Sequence, residues 1–418
     1  AYAELWLAEP SGSRRRAVGP SGATSPAGPR ENVEGASSAP PPAAPSDEEP
    51  IYGPTYLPRK FKIAIAAPPS NDVDVLTNDI GLIAIADGAR LTGFNVAVGG
   101  GLGMTHGEPQ TYPNLARIVG FCPADRAAEV AEAILLVQRD FGDRSNRKHA
   151  RLKYTVADRG VEWFASELAR RLGWPLEPAR PFRFETMGDR FGWRPAAGGL
   201  WNLTLYIENG RIRDRSASAL RAGLRAIAEA HRGTFRLTPN QNLIVADVAA
   251  ADRPRIDALA REHGLSDGTD RSPLRRLAMA CVALPTCPLA MAESERYFPD
   301  FLDKLEGLLD ETGLAGEEIL VRMTGCPNNC ARAVMAEIGL VGKAVGKYNL
   351  HVGGDFAGRR LAALHRENID EAEILESLRP VLAAYAAQRQ QGERFGDFAV
   401  RAGLARAVSG GADFHAPR

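Results

Sequence analysis

Short apolar runs separated by glycine and proline dominate the chain from residue 61 onward. Runs of this length, bounded by turn-forming residues, predict buried strands at Phe61–Ala67, Gly81–Ala86 and Phe94–Val98. Apolar side chains then recur at helical spacing, which predicts a helix over Ala124–Phe141. A glycine-rich loop, Gly99–His106, follows the third strand, and it allows the backbone to approach a bulky or anionic ligand closely.

The rest of the chain mixes strands and helices in the same way. Strands predicted at Trp201–Ile207 and Phe235–Val245 flank a predicted helix at Ser218–Ala230. Further along, an amphipathic helix is predicted at Phe298–Glu311. Three strands are predicted after it, at Ile319–Thr324, Glu337–Lys343 and Tyr348–Gly354. This alternation predicts an α/β (α+β) fold.

Composition is that of a protein with a sizeable core. The chain has 418 residues, 44% hydrophobic and 24% charged, which suffices for two or three domains. Its 51 basic and 51 acidic residues cancel, so the overall charge indicates neither a nucleic-acid partner nor a membrane surface. No apolar run approaches the roughly 20 residues of a membrane helix. With no export signal and with cysteines expected to be reduced, we predict a cytoplasmic protein.

Residues 10–46 differ from the rest of the chain. They are rich in proline, alanine, serine and glycine, and large apolar residues are almost absent. Such a stretch cannot bury enough apolar surface to fold, so we predict a disordered linker. The run Arg14–Arg16 within it is interpreted as a solvated charge cluster rather than a nucleic-acid patch.

Four cysteines form two close pairs, Cys281 with Cys287 (C-x5-C) and Cys326 with Cys330 (C-x3-C). Four soft thiolates suit an iron–sulfur cluster or a zinc ion. Structural zinc sites usually use a C-x2-4-C spacing, so the first pair favours the cluster. Zinc, two disulfides and chemically idle cysteines remain as alternatives. We interpret the fifth cysteine, Cys122, as a core residue.

The residues around both pairs, Met279–Glu295 and Thr324–Arg332, resemble the two cluster motifs of the sulfite and nitrite reductase family. Enzymes of that family hold a [4Fe-4S] cluster next to a sirohaem. The similarity extends from about Asp47 to about Ala405, and it is strongest to the haemoprotein (beta) subunit of the NADPH-dependent assimilatory branch. Because Ala1–Leu7 resembles a segment well inside the family's sequence, we predict an N-terminally truncated chain.

The resemblance also implies a domain organisation. It predicts a remnant of an upstream domain, the linker, a first catalytic-type domain, a ferredoxin-like half-domain and a second catalytic-type domain with the cluster, at residues 1–9, 10–46, 47–185, 190–265 and 270–418.

Site residues follow from the resemblance residue by residue. It makes Cys281, Cys287, Cys326 and Cys330 the cluster ligands, with Cys330 shared between a cluster iron and the sirohaem iron. It places Arg151 and Lys153 against the bound anion and the macrocycle, and it turns Gln241 and Asn242 towards the sirohaem. We also expect Arg147 and Asn328 to contact the cofactor. The family has glycine at the position of Asn329, and its NADPH-dependent members commonly have lysine at Arg151.

The function that the resemblance implies is reduction of sulfite to hydrogen sulfide in cysteine biosynthesis, with electrons from a flavoprotein of the NADPH type or from ferredoxin. Two alternatives are a ferredoxin-dependent nitrite reductase and a truncated product without activity. Since the family's first half-domain and two further arginines of its anion site precede the segment matched here, we expect low activity from this chain alone.

Overall fold

The computed structural model describes residues 49–215 and 218–416. The predictions for residues 1–9 and 10–46 lie outside these ranges. The strands are β1 (Ile63–Ala66), β2 (Ile80–Asp87), β3 (Arg90–Val98), β4 (Arg117–Pro123), β5 (Gly192–Pro195), β6 (Trp201–Leu205), β7 (Asp214–Arg215), β8 (Ser218–Ala219), β9 (Thr234–Leu237), β10 (Leu243–Val248), β11 (Met279–Ala280), β12 (Val321–Thr324), β13 (Ile338–Ala344), β14 (Lys347–Val352) and β15 (Ala363–Ile369). The α-helices are α1 (Ala127–Phe141), α2 (Leu152–Arg159), α3 (Val161–Leu172), α4 (Leu220–Ala230), α5 (Arg253–Glu262), α6 (Pro273–Leu277), α7 (Phe298–Glu311), α8 (Glu371–Gln388) and α9 (Phe395–Arg401).

The first sheet has the order β1-β2-β3-β4, with β1 and β2 parallel and the other pairs antiparallel. Helices α1 and α3 cover one face, where Ile134 and Phe164 pack against Ile80. The predicted helix over this region is confirmed, although it begins at Ala127 because Ala124–Arg126 form a 3-10 turn after β4. Cys122 is fully buried in this core, as predicted.

The second sheet, β5-β6-β10-β9, is antiparallel throughout and carries α4 and α5. The single strand predicted at Phe235–Val245 is wrong, since the chain makes a hairpin there. Pro239 cannot donate a ladder hydrogen bond, and Gln241 takes a left-handed φ of 70°. The chain therefore turns between β9 and β10, and that turn points towards the cysteine-bearing part of the fold through Gln241.

The third sheet, β11-β12-β13-β14-β15, holds the cysteine pairs at one end. Strands β11, β12 and β13 are parallel, and the remaining pairs are antiparallel. Helix α7, confirmed with its predicted bounds, packs with α8 and α9 over this sheet in the largest core of the described residues. The observed architecture confirms the predicted mixed α/β class.

The first and third sheets contain a repeat that the sequence analysis did not identify. Strands β1–β4 and β12–β15 share order and direction, and even the register agrees: Ile80 pairs with Val98, as Ile338 pairs with Val352. The sequences match as well, with Asn95-Val-Ala-Val-Gly-Gly in one copy and Asn349-Leu-His-Val-Gly-Gly in the other. The fold is therefore built around two copies of one sheet motif.

A buried ion cluster connects the two copies. Asp74, 1% exposed, accepts from Arg322 Nη1 of β12 at 2.6 Å and also from Arg332 Nε. Burial alone would raise the pKa of Asp74, but the two guanidiniums outweigh it and hold that pKa below its usual value. An apolar cluster with residues from both copies, including Leu76 and Val334, surrounds this contact. The cavity described below lies where the copies meet.

None of the helices in residues 49–215 and 218–416 is both long and apolar enough to cross a membrane.

Candidate functional site

A cavity of about 680 Å³ lies between β1, the glycine-rich loop, the start of α2 and the second cysteine pair. Its described lining contains eight cationic side chains and no carboxylate: Arg59, Lys60, Lys62, Arg147, Lys148, Arg151, Lys153 and Arg332. Burial lowers the pKa of Lys62, and repulsion from Lys60 and Arg151 lowers it further. A cavity with this charge is suited to a ligand that carries several negative charges.

Arg151 is the residue before α2, and a buried carboxylate fixes its orientation. Its Nε and Nη2 donate to the two oxygens of Asp79 at 3.1 and 2.7 Å. Asp79 is fully buried, and its Oδ2 also accepts from the backbone N–H of Lys62 at the start of β1. Burial raises the pKa of Asp79 although the Arg151 guanidinium opposes this shift. The planar fork of Arg151 is thus held at the cavity wall by a two-point contact.

Lys153 is the second residue of α2 and is 1% exposed. Its ammonium donates to the carbonyl oxygens of Gly103 at 2.9 Å, Gly101 at 3.2 Å and Tyr112. Burial lowers the pKa of Lys153 to about 7, and the charge of Arg151 lowers it further. An amine with this pKa can bind an anion or release a proton near neutral pH.

The glycine-rich loop needs glycine at two positions because neighbouring atoms leave too little room for a side chain. A Cβ on Gly100 would lie 2.3 Å from the carbonyl oxygen of Leu76, and one on Gly101 would lie 3.1 Å from Nη2 of Arg151. The close approach that the loop allows is therefore to its own protein neighbours, including the cation that lines the cavity.

The fold brings the four cysteines of the two pairs together at one end of the third sheet. Cys281 follows β11 and Cys326 follows β12, and these strands are parallel neighbours. Sγ of Cys281 accepts from the backbone N–H of Gly325 at 3.2 Å and from Thr324 Oγ1 at 3.4 Å. All five cysteines of the chain are free thiols. The two-disulfide alternative therefore has no support in the geometry.

The cysteines of the two pairs are close enough to affect one another's pKa. Burial raises the pKa of the Cys330 thiol, and Cys281 and Cys287 raise it further. Within the described residues, no three histidine, cysteine or acidic side chains converge on a position for one metal ion.

Cys330 of the second pair opens onto the cavity. Cys330 and Asn328 line the cavity and are exposed to it, whereas Asn329 lines it but is only 3% exposed. Asn329 adopts a φ of 60°, so the turn for which the family uses glycine is kept by asparagine, which tolerates this conformation better than other non-glycine residues. Asn328 contributes backbone and side-chain hydrogen bonds to the Cys326 sulfur, where they oppose the rise in pKa caused by burial.

Gln241 and Asn242 occupy the β9–β10 turn and use their side chains within the protein. Gln241 Nε2 donates to the carbonyl oxygen of Ala280 at 2.7 Å, directly before Cys281. Asn242 Nδ2 donates to Asp189 at 2.8 Å, and its Oδ1 accepts from the backbone of Ile207 at 2.8 Å. Neither residue is among the cavity lining. The sirohaem contact expected for them stays a prediction, and the observed contacts position the second sheet against the cysteine domain.

Arg147, Arg151, Lys153, Asn328 and Cys330 are therefore brought into one cavity, and the other three cysteines lie beside it. Sequence reasoning missed the remaining cations of the lining, among them Lys60, Lys62 and Arg332. The sequence offered an indication for two of them, because Lys60 and Lys62 are two residues apart just before a predicted strand and so lie on the same face of the extended chain. Arg332 had no such signal, since its place in the site depends on its contact with Asp74.

Comparison with known proteins agrees with the geometry. The family model "Nitrite and sulphite reductase 4Fe-4S domain" matches residues 39–176 and 274–409, which contain the two copies of the sheet motif. The model "Nitrite/Sulfite reductase ferredoxin-like half domain" matches residues 194–263, which contain most of the second sheet. The double match of the first model supports the internal repeat.

Individual proteins that are similar in sequence or structure support the same family. The "Sulfite reductase [NADPH] hemoprotein beta-component" of Geobacillus kaustophilus is 59% identical over 369 residues, and that of Shouchella clausii is 57% identical over 367 residues. In both cases the alignment covers 88% of this chain and 64% of the relative, so the chain spans less than two thirds of the length of these proteins. The structure of the Mycobacterium tuberculosis NirA protein matches with a TM-score of 0.68 at 29% identity, covering 83% of this chain and 64% of that one. The chain belongs to the nitrite and sulfite reductase family.

Proposed function

We propose that this chain is the catalytic portion of a sulfite reductase haemoprotein, which reduces sulfite to hydrogen sulfide in sulfur assimilation. The observation that carries the proposal is the cavity with eight cations and no carboxylate in its described lining, which opens directly onto Cys330. The names of the two relatives described above support sulfite as the substrate rather than nitrite.

The residues present fit the two cofactors that this function needs. A sirohaem carries many carboxylates, and the cations of the cavity supply the counter-charges for them. Cys281, Cys287, Cys326 and Cys330 supply the thiolates for a [4Fe-4S] cluster. When bound, these cofactors would carry electrons from the donor to the iron at which the substrate is reduced.

The protein's own contribution is binding and proton supply. The Arg151 guanidinium, which Asp79 orients, binds the substrate oxyanion through its planar fork of N–H donors. The Nζ of Lys153 holds a proton that the substrate oxygens can accept when S–O bonds break, because burial has brought its pKa close to 7. Reduction of sulfite consumes several protons, so a donor at this position has a direct use.

We infer that the electrons come from an NADPH-oxidising flavoprotein. The relatives are named as the beta-component of an NADPH-dependent enzyme, which supports a second component that oxidises NADPH. All five cysteines are free thiols, and this supports the proposal that the protein functions in the reducing cytoplasm. Addition of such a flavoprotein should give NADPH-dependent sulfide formation. Sulfide formation with reduced ferredoxin but not with the flavoprotein would contradict the inference.

Replacement of Lys153 by methionine tests the proposal. We expect sulfide formation with an artificial electron donor to fall about 10²–10³-fold, because a buried cation in the wall of the anion cavity is lost. The holoprotein should be purified without air from cells that also make sirohaem. Lys304→Met is the matched control, since Lys304 is on α7, outside the cavity lining, and pairs with Glu371 at the surface. Equal losses in both variants, or faster turnover of nitrite than of sulfite in the unchanged protein, would refute the proposal.

Anion binding should depend on pH through Lys153. Its pKa of about 7 in the free site means that the ammonium is lost as the pH rises past 7, whereas a bound anion favours the charged form. We therefore expect affinity to be constant below pH 7 and to fall by about tenfold per pH unit above it. Nitrite is the suitable probe because its charge does not change in this range. Titration by absorption should show the slope in the unchanged holoprotein and a flat profile in Lys153→Met.

A further inference from the structure

Asp79 is connected to the cavity only through its neighbours. Its side chain is fully buried, and the residue is not part of the cavity lining. It nevertheless contacts three of the walls. Its Oδ2 accepts from the backbone N–H of Lys62 at 2.8 Å, its backbone carbonyl accepts from the N–H of Gly99 at 3.0 Å, and both carboxylate oxygens accept from Arg151. One residue therefore joins β1, the glycine-rich loop and the start of α2.

The contact with Arg151 fixes the plane of a whole group. A guanidinium has five N–H donors in one plane, and Asp79 accepts from the donor of Nε and from one donor of Nη2. Because the group is rigid, holding two of its nitrogens also sets the direction of the three donors that Asp79 does not use. A lysine ammonium on a flexible stem could not be held in this way.

The other cations of the cavity make such an anchor necessary. Burial is the main cause of the lowered pKa of Lys62 and Lys153, and repulsion from Arg151 lowers the pKa of both further. The negative charge of Asp79 opposes these shifts at both lysines. Without that counter-charge, like charges would push the Arg151 side chain away from its neighbours. The anchor has to come from behind the wall, since the described lining contains no carboxylate.

We propose that Asp79 is a positioning residue of the anion site, and that it acts through Arg151 by holding the guanidinium in its binding orientation before the substrate arrives. The inference rests on the proposed function, since it needs Arg151 to bind the substrate oxyanion. Donors that are already in place increase the rate, because no rearrangement is needed as charge develops in the transition state. Asp79 itself has no access to the ligand, because it lies outside the cavity lining.

A double-mutant cycle separates this role from a merely structural one. Asp79→Asn keeps the shape of the side chain but replaces one of the two acceptors of Arg151 with an amino group. We expect kcat for sulfite, with an artificial electron donor, to fall about tenfold or more, because a misplaced binding group can cost up to about 10²-fold. In a holoprotein that already carries Arg151→Met, the same substitution should change kcat by less than about twofold.

Asp247→Asn is the matched control for Asp79→Asn. Asp247 also accepts from an arginine, Arg236, at 3.0 Å, but this contact lies on the second sheet and outside the cavity lining. We expect the control to keep the kcat of the unchanged protein. An unchanged kcat in Asp79→Asn, or equal losses with and without Arg151, would overturn the inference while leaving the proposed function intact.

A second readout follows the contact itself and needs no substitution of Asp79. In the unchanged protein, labelled for NMR on its arginine nitrogens, the Nε–H of Arg151 should exchange with water more slowly than those of exposed arginines, because it donates to a fully buried carboxylate. Arg151→Met assigns the signal by its loss. If Asp79→Asn does not fold, this measurement decides the matter, and exchange as fast as at exposed arginines refutes the inference. Absence of sulfite reduction by the unchanged holoprotein would overturn both proposals.

Discussion

Replacing Cys326 with alanine will abolish cluster binding. Cys326 is 6% exposed and lies two residues after the end of β12, so no other thiol can move into its place. A cluster held by three thiolates exposes one iron to solvent and exchange. The measurement is iron and acid-labile sulfide per chain, together with the broad visible absorption, after purification without air. We expect both to fall to the level of the background.

Cys122→Ala is the control for this variant. Cys122 is also buried and small, and its loss leaves a cavity of the same size in the first core, far from the other four cysteines in the chain. We expect a modest loss of stability, about 1 kcal/mol, and a full complement of iron. Equal iron in Cys326→Ala and Cys122→Ala would contradict the assignment of Cys326 as a ligand.

The second large effect concerns the ion cluster between the two sheet copies. Replacing Asp74 with asparagine should lower the free energy of unfolding by about 3–5 kcal/mol. The substitution keeps the shape of the side chain and its left-handed φ of 47°, which asparagine tolerates. What it removes is the negative charge that balances two guanidiniums, one of them only 2% exposed. An unpaired buried arginine is then left where the copies meet.

Denaturant unfolding of the protein measures this effect. Glu311→Gln is the control, because it breaks a contact with Arg379 in which both side chains are 57% exposed. Such a surface pair contributes about 0–1 kcal/mol, so the control should unfold close to the unchanged protein. Similar midpoints for Asp74→Asn and the control would show that the buried cluster does not hold the copies together.

Local patterns predicted the individual elements well where one face of an element is apolar. Helix α7 has its predicted bounds because Phe298, Phe301, Leu305 and Leu308 repeat at helical spacing and all are buried. The strand prediction over Phe235–Val245 failed because apolar residues on both sides of the turn gave one continuous signal. Pro239, between them, was the local sign of the turn.

The internal repeat shows a different kind of limit. The six-residue matches at Asn95 and Asn349 are short, and sequence alone did not connect them. The register of strand pairing makes the equivalence plain, because hydrogen bonds fix which residues face each other in both sheets.

By itself, the sequence determined the α/β class, the family and the two cysteine pairs, since these depend on spacing and residue type within short segments. Only the tertiary structure decided that Lys60, Lys62 and Arg332 join Lys153 in the lining of one cavity, because these segments are distant from one another in the chain. It also decided that Lys153 has a pKa near 7 and that Arg151 donates to the buried carboxylate of Asp79. The physical reason is the same in both cases: desolvation and hydrogen-bond partners depend on what surrounds a side chain in space, and local sequence does not specify those surroundings.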